Sequence, residues 1–414
     1  MPLIQKIIRA KKNKSLTVGA YRYLYHLLYA NISAIVNYPL KYKRYKAIPS
    51  LKKGVRDHRV KAVIDDARYM AIFKRLADAY NKAKVKQANI DEPYQVGGSW
   101  GLGLDTNCRE LTAALRNNDT VKLQALLENF NRERFSSGAG AEYLDYRMLK
   151  STPLYKYQFV NTWYKYYNIY KDVTDDNPQL SYPLLGNPVG LYYDGQIIPI
   201  DSFRYMYYAT EILSLLRDVE NPVICEIGGG VGGQAYKVLS SSHRNLTYIL
   251  LDIPEILTIS SYFLMAALPE KKFLLYEEDL FDSSRLKCYD VILMPNFMLP
   301  YLGDETVDLF FNSCSFSEMN SATVEEYIHQ TERICKRYFM HINHGVKFVW
   351  YARDGKKTEN VTASQIRPDP RRFKRIYKHP RVFGRLQDKL YQKDFYTFLY
   401  ERLSPGSVET QKSG

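Results

Sequence analysis

From about residue 201 onward, short apolar runs alternate with segments whose apolar residues recur every three or four positions. Val223-Ile224-Cys225-Glu226-Ile227, Thr247-Tyr248-Ile249-Leu250-Leu251, Val291-Ile292-Leu293-Met294, Val307-Asp308-Leu309-Phe310-Phe311 and Tyr338-Phe339-Met340-His341-Ile342 read as strands. The spacing predicts helices between them: one running through Leu239, one containing Tyr262, Phe263 and Leu264, and one over 322–335. Residues 395–400 read as a further strand. Alternation of this kind predicts a parallel sheet covered by helices on both faces.

Upstream the rhythm differs. Between 61 and 135 the apolar residues keep helical spacing, as in Tyr69-Ile72-Phe73-Leu76, Leu111-Leu115 and Leu123-Leu126-Leu127. Ser136-Ser137-Gly138-Ala139-Gly140 reads as a loop. Residues 155–170 are too dense in aromatics to show a period, and Asp194-Gly195 sits between two short apolar runs like a hairpin turn. The division predicted is an arm over 1–60, a mainly α-helical accessory domain over 61–200, an α/β Rossmann-like domain over 201–404, and a tail over 405–414.

Charge changes the picture mainly at the start of the chain. The 414 residues carry 58 Lys and Arg against 44 Asp and Glu, a net +14. Residues 1–60 hold fourteen Lys or Arg and one acid, so the remainder is close to neutral. Between two basic blocks, residues 24–36 carry no formal charge, a pattern that suits a helix lying on an anionic membrane surface. A solvated arm, or a helix packed on the protein, fits the same pattern. Nucleic acid is disfavoured as a partner, because no recognisable binding motif accompanies the charge. The five cysteines are scattered and include no Cys-x-x-Cys, which suits a reducing cytoplasm. No apolar run is long enough to span a bilayer, so the expectation is a cytoplasmic protein that can attach peripherally to the inner face of the membrane. The 37 tyrosines suit core packing, sugar stacking or a membrane interface.

The sharpest chemical signal lies at a strand-to-helix junction, Glu226-Ile227-Gly228-Gly229-Gly230-Val231-Gly232-Gly233. Glycines there let a nucleotide-like ligand approach the backbone, and the amides at the helix start favour an anionic group. Glu226-x-Gly228-x-Gly230-x-Gly232 suits S-adenosylmethionine, and Gly228-x-Gly230-x-x-Gly233 equally satisfies a dinucleotide fingerprint. Context favours the first: Glu226 precedes the glycines by two residues, and Asp252 ends the next strand, where its carboxylate can accept ribose hydroxyls with Ile253 beside the adenine.

With the blocks Gly186-Asn187-Pro188-Val189-Gly190, Asp201-Ser202-Phe203-Arg204-Tyr205-x-Tyr207, the glycine loop, Asp252-Ile253-Pro254-Glu255, Met294-Pro295-Asn296, residues 312–319 and 338–344, the chain resembles the bacterial sugar O-methyltransferases found with surface-polysaccharide genes. They are class I S-adenosylmethionine-dependent enzymes. The resemblance covers about 186–344, and the chain has Met206 or Tyr208 where the family's aromatic block carries histidine. It implies a Rossmann-like class I methyltransferase domain that binds S-adenosyl-L-methionine and methylates a sugar hydroxyl of a surface glycan or of a sugar-nucleotide or lipid-linked precursor.

Ligands in such sheets lie outside the carboxyl ends of the strands. That rule places Ser315, Ser317 and Glu318 after one strand, and Asn343 and His344 after the next. Glu318 is the first choice for general base, against a plain helix N-terminal acid, and His344 is the second. Asn296 is the expected adenine contact with Asp279 as alternate, and Asn312 joins Glu226, Gly228, Gly230, Gly232, Asp252 and Ile253 as a cofactor position. Arg204, Tyr205, Tyr207, Ser315, Ser317 and Asn343 are expected at the acceptor. No metal site is assigned, since His341 and His344 lack a third ligand. Methylation of RNA or another anionic substrate, a nicotinamide oxidoreductase and a non-catalytic scaffold are the competing readings.

Overall fold

A computed structural model describes residues 46–59, 65–97, 100–140, 142–174, 180–351, 357–383 and 395–404. The arm for which a membrane surface was expected falls outside the described residues up to position 45, and so does the tail 405–414. Among the described residues no helix is long and apolar enough to cross a membrane.

The accessory region is helical. Its elements are α1 (Ile48–Gly54), α2 (Asp66–Gln87), α3 (Trp100–Asn107), α4 (Arg109–Arg116), α5 (Thr120–Leu127), α6 (Glu142–Ser151) and α7 (Tyr155–Val173). The side chain of Asp65 accepts the Arg68 backbone N–H at 2.9 Å, which caps α2. From there Tyr69, Ile72, Phe73, Leu76, Ala77, Tyr80 and Ala83 bury one face at the predicted spacing. The aromatic stretch after 155 is also one helix: Phe159, Trp163, Tyr166 and Tyr170 are buried on a single stripe that the density of rings hid in the sequence. A hairpin follows, β1 (Leu191–Tyr193) with β2 (Gln196–Ile198), then α8 (Ser202–Leu215).

The α/β region contains β3 (Val223–Ile227), α9 (Gly233–Ser241), β4 (Thr247–Asp252), α10 (Pro254–Ala267), β5 (Phe273–Leu275), β6 (Val291–Pro295), β7 (Val307–Ser313), α11 (Ser321–Ile334) and β8 (Cys335–His344). The small hairpin β9 (Val349–Tyr351) with β10 (Lys357–Glu359) precedes β11 (Phe373–Pro380) and β12 (Phe395–Arg402). The main sheet has eight strands in the order β11-β12-β8-β7-β3-β4-β6-β5. It is parallel from β5 to β8, and β12 and β11 join antiparallel. This is a Rossmann-like α/β architecture, the fold class expected from the sequence. From β3 the chain builds outward through β4, then returns to place β7 on the other side of β3, so the strand order reverses between β3 and β7. A crevice must open at their carboxyl ends.

One departure from the sequence reading bears on the site. The three-residue β5 was too short to register as a strand, and β6 lies between it and β4. Lys374 and Arg375 are exposed on β11, an edge strand whose charge blunts edge-to-edge pairing.

The helical region and the sheet region share one hydrophobic core. Phe73 stacks on Tyr262 of α10 with ring centroids 5.7 Å apart, and the Tyr69 and Tyr262 hydroxyls are 2.9 Å apart. Phe130 packs edge-on against Phe263 at 5.9 Å, and Trp163 packs edge-on against Phe203 of α8 at 5.3 Å. Residue 200 therefore marks a change of architecture inside a continuous interior. The Phe130 ring is wholly buried and occupies the space a β-carbon at Gly186 would need. Phe130→Ala should cost about 3–5 kcal/mol of unfolding free energy, read from urea denaturation followed by circular dichroism.

Candidate functional site

At the crevice, the residues after β3 turn sharply enough that Gly228 and Gly230 take φ of +73° and +57°. Both positions are closed to a side chain by the protein itself. A β-carbon at Gly228 would overlap the Ser315 hydroxyl, and one at Gly230 would overlap the Ala139 carbonyl oxygen. Ala139 comes from the loop 136–140 of the accessory region, and its oxygen accepts the Val231 N–H at 3.2 Å. The glycine loop is thus clamped between β7's loop and the helical region. Gly232 caps α9 and faces Ser260 and Leu264; it is outside the cavity wall, so its part is to seat the helix.

A cavity of about 300 Å³ opens over this loop. Gly228, Gly230, Glu226, Asp252, Ile253, Asn296, Ser315, Glu318, Arg204 and Tyr205 form its wall among the sequence-predicted residues. Glu226 is buried in it, and Asp252 and Glu318 are half-buried. Asp252 accepts the Gly230 N–H at Oδ2 (2.9 Å) and the Ile253 N–H at Oδ1 (2.8 Å). Burial pushes its acid up to about 7 against those two bonds, and the nearby Glu318 and Glu255 push the same way. Glu226 accepts the Tyr248 hydroxyl at 2.9 Å and is raised by burial to about 8. Glu318 accepts the Trp100 indole N–H at Oε2 (2.8 Å); burial raises it to about 7, and the indole bond opposes that rise.

Asn296 sits at the end of β6, beside Asp252 on β4. Its amide nitrogen donates to the Tyr94 carbonyl (2.8 Å) and meets the Tyr327 hydroxyl (2.9 Å), while its buried Oδ1 has no protein partner. An unsatisfied buried acceptor in a cavity wall is a place for a ligand's N–H. Asp279 is a correction: it follows the outermost strand, stands exposed, and is held at about 2 by its hydrogen bonds from Tyr289, the Leu280 N–H and Arg285. Because β6 lies between β4 and β5, Asn296 stands beside Asp252 as expected and the alternate, Asp279, is one strand further out.

Besides Gly232 and Asp279, five predicted site residues lie outside the wall. Asn312 and Asn343 are wholly buried at the ends of β7 and β8. The Asn343 amide donates to Asn312 Oδ1 at 2.8 Å, Asn312 donates to the Ile227 carbonyl at 3.0 Å, and the Ser317 hydroxyl donates to Asn343 Oδ1 at 3.2 Å. Ser317 Oγ in turn accepts the His344 backbone N–H at 3.0 Å. Their chemistry is spent fixing the 313–318 loop, so none of the three is a ligand contact. The His344 ring packs on Phe395, centroids 3.8 Å apart, and Phe395 rather than His344 faces the cavity. Burial and the Arg381 charge lower His344 to about 4, so at neutral pH it is an uncharged packed ring. Tyr207 packs edge-on against Tyr208 and Phe383. His341 is wholly buried and stacked on Phe398 at 4.9 Å, and burial lowers it to about 3.

Arg204 approaches Asp201 (3.7 Å) and the Ser313 hydroxyl (3.4 Å), and its buried Nε is unpaired. That guanidinium suits a ligand carboxylate. Several wall residues escaped the sequence reading: Trp100, the loop Gly138-Ala139-Gly140, Tyr166, Gln234, Tyr327 and Phe383. Only the glycines of 136–140 carried any signal, as a turn. Overall the wall offers a carboxylate for a diol, an acceptor for an amino group, a cation for a carboxylate, and a second carboxyl, Glu318, outside that set.

No protein-family model and no curated protein matches the chain. Among solved structures it is similar to a 1,6-didemethyltoxoflavin N1-methyltransferase from Burkholderia thailandensis, with 13% identity over 48% of this chain and 79% of that one, TM-score 0.31. It is similar to a magnesium protoporphyrin IX methyltransferase from Synechocystis, with 12% identity over 51% and 90%, TM-score 0.32. A SAM-dependent methyltransferase from Aquifex aeolicus gives 12% over 49% and 93%, TM-score 0.30. Nothing about this chain's chemistry rests on likenesses of that size.

The buried carboxyls make stability depend on pH. Glu226 has its folded value raised to about 8 from an ordinary 4.5, so the folded protein keeps a proton that the unfolded chain releases. The stability it contributes is complete at low pH and is lost as pH rises from about 4.5 towards 8. Glu226→Gln should therefore flatten the fall in melting temperature between pH 5 and pH 8, stabilising the protein most at the alkaline end. Scanning calorimetry across that range reads it directly.

Proposed function

We propose that the protein is an S-adenosylmethionine-dependent methyltransferase that methylates a sugar hydroxyl of a surface polysaccharide or its precursor. The observation that carries the reading is the pairing, in one cavity, of a nucleoside-shaped donor set with a separate half-buried carboxyl near neutrality, Glu318. When bound, S-adenosylmethionine supplies a methyl group on a positively charged sulfur. Asp252 holds the ribose hydroxyls, since each of its oxygens keeps a lone pair beyond the backbone bond it accepts. Asn296 Oδ1 takes the adenine amino group, and Ile253 and Ile256 flank the base. Arg204 meets the methionine carboxylate.

Glu318 then serves the acceptor. As a carboxylate it accepts the proton of a sugar hydroxyl and leaves the oxygen more nucleophilic, a contribution of roughly 10²–10⁴-fold. Holding that oxygen close to the methyl and on axis can supply about 7–11 kcal/mol more. An acid near 7 is well matched, because it is half ionised at working pH yet still basic enough to take a proton. The sugar as acceptor is supported by the sequence blocks shared with sugar O-methyltransferases.

Calorimetric titration with S-adenosylmethionine and S-adenosylhomocysteine should give one site per chain, lost in Asp252→Ala, whereas NAD should give no heat. Methyl transfer to glycan extracts should fall roughly 10²–10⁴-fold in Glu318→Gln while S-adenosylhomocysteine binding changes little. Heat with NAD alone would sink the reading.

The rate of transfer should decline below about pH 7, as Glu318 takes up its proton. A rate that stays level down to pH 5 would remove Glu318 from the role of base.

A further inference from the structure

Glu318 reaches the cavity from the loop after β7, but the group that fixes its carboxylate belongs to the accessory region. Trp100 is the first residue of α3, and its indole Nε1 donates to Glu318 Oε2 at 2.8 Å. The far edge of the indole lies over Gly138, where a β-carbon would stand 3.2 Å from ring atoms Cζ2 and Cη2. Gly138 belongs to the same 136–140 loop that clamps the glycine crook. The ring is therefore wedged between a main-chain loop and a carboxylate, and it forms part of the cavity wall.

Indole suits this place for a chemical reason. It has a single N–H, donates only, and has no titration of its own near neutrality. It can orient Oε2 and favour the ionised form, yet it cannot take the proton that Glu318 must receive. Among the described residues no hydrogen bond is made to Oε1, which leaves that oxygen for an acceptor hydroxyl. Burial and the indole bond are what act on the Glu318 acid, and Glu318 in turn raises the acid of Asp252.

We propose that Trp100 is the positioning residue of the methyl-transfer site: its indole N–H fixes one oxygen of Glu318, so that the other is presented to the acceptor hydroxyl. The inference rests on the O-methyl-transfer reading given above. It makes the accessory region a working part of the site, since the carboxylate is oriented from outside the sheet.

The test pairs a measurement that needs no acceptor with one that does. Trp100→Phe keeps a ring against Gly138 and removes the N–H; Glu318→Gln keeps an oxygen for the indole and removes the titration. The tryptophan emission that wild type shows beyond Trp100→Phe should change with a midpoint near pH 7, and this change should vanish in Glu318→Gln. In methyl transfer to glycan extracts, Trp100→Phe should lower kcat at pH 7 about tenfold, with a smaller change in KM, and should displace the acid limb to higher pH, because the charged form has lost its donor. Binding of S-adenosylhomocysteine should be retained, which shows that the variant folds.

A pH-independent emission, or a Trp100→Phe enzyme with the wild-type rate and acid limb, would overturn the proposal. If the emission titrates as expected but no glycan accepts a methyl group, the sugar reading fails while the Trp100–Glu318 pairing stands.

Discussion

The site depends on one main-chain contact. The carbonyl oxygen of Ala139 occupies the place where a β-carbon at Gly230 would be, so a helical-region loop and the nucleotide-type crook fit together only because one of them has no side chain. That contact fixes the curvature of the crook. The curvature in turn aims the Gly230 N–H at Asp252, and Asp252 then has both oxygens anchored before any ligand arrives. Preorganisation of this kind costs backbone freedom during folding, and that cost is recovered as a ligand site that needs no rearrangement.

The same closeness of the two regions produces the unusual acidities. Glu226 is buried and Asp252 and Glu318 are half-buried, and in each case burial is the largest cause of the rise. The cover comes partly from Trp100 and from Gly138-Ala139-Gly140, all outside the sheet. Beneath the cavity, the amide and hydroxyl bonds linking Asn312, Asn343 and Ser317 hold the loop that carries Glu318 to the ends of β7 and β8. A buried polar network with its bonds made is stiff, and a stiff mount suits a group that must meet a hydroxyl at a set distance.

How much of this could be read from the chain depended on range. The parallel strands were legible because a strand covered on both faces is apolar almost throughout, as 223–227 and 291–294 are. Asp252, Asn296 and Glu318 were legible because the carboxyl-end rule needs only strand positions. Asp279 misled because β5 has only three residues and gives no pattern. Asn312, Asn343 and Ser317 misled because a polar residue at a strand end looks the same whether it greets a ligand or a neighbouring amide. His344 misled for a similar reason, since nothing local announces a ring packed on Phe395, fifty-one positions away. Trp100 and Ala139 lie far upstream of the sheet residues they meet, and no spacing rule links them.

The continuous interior also bears on how such a protein could be altered. An engineer hoping to change the acceptor by exchanging the helical cover for that of a relative would exchange Ala139 and Trp100 with it. A foreign loop whose backbone ran half an ångström differently would meet Gly230 wrongly and loosen the donor pocket at the same time. On the function proposed above, selectivity for one reactant and affinity for the other would be inherited together. Swapping the cover calls for transplanting the crook as well.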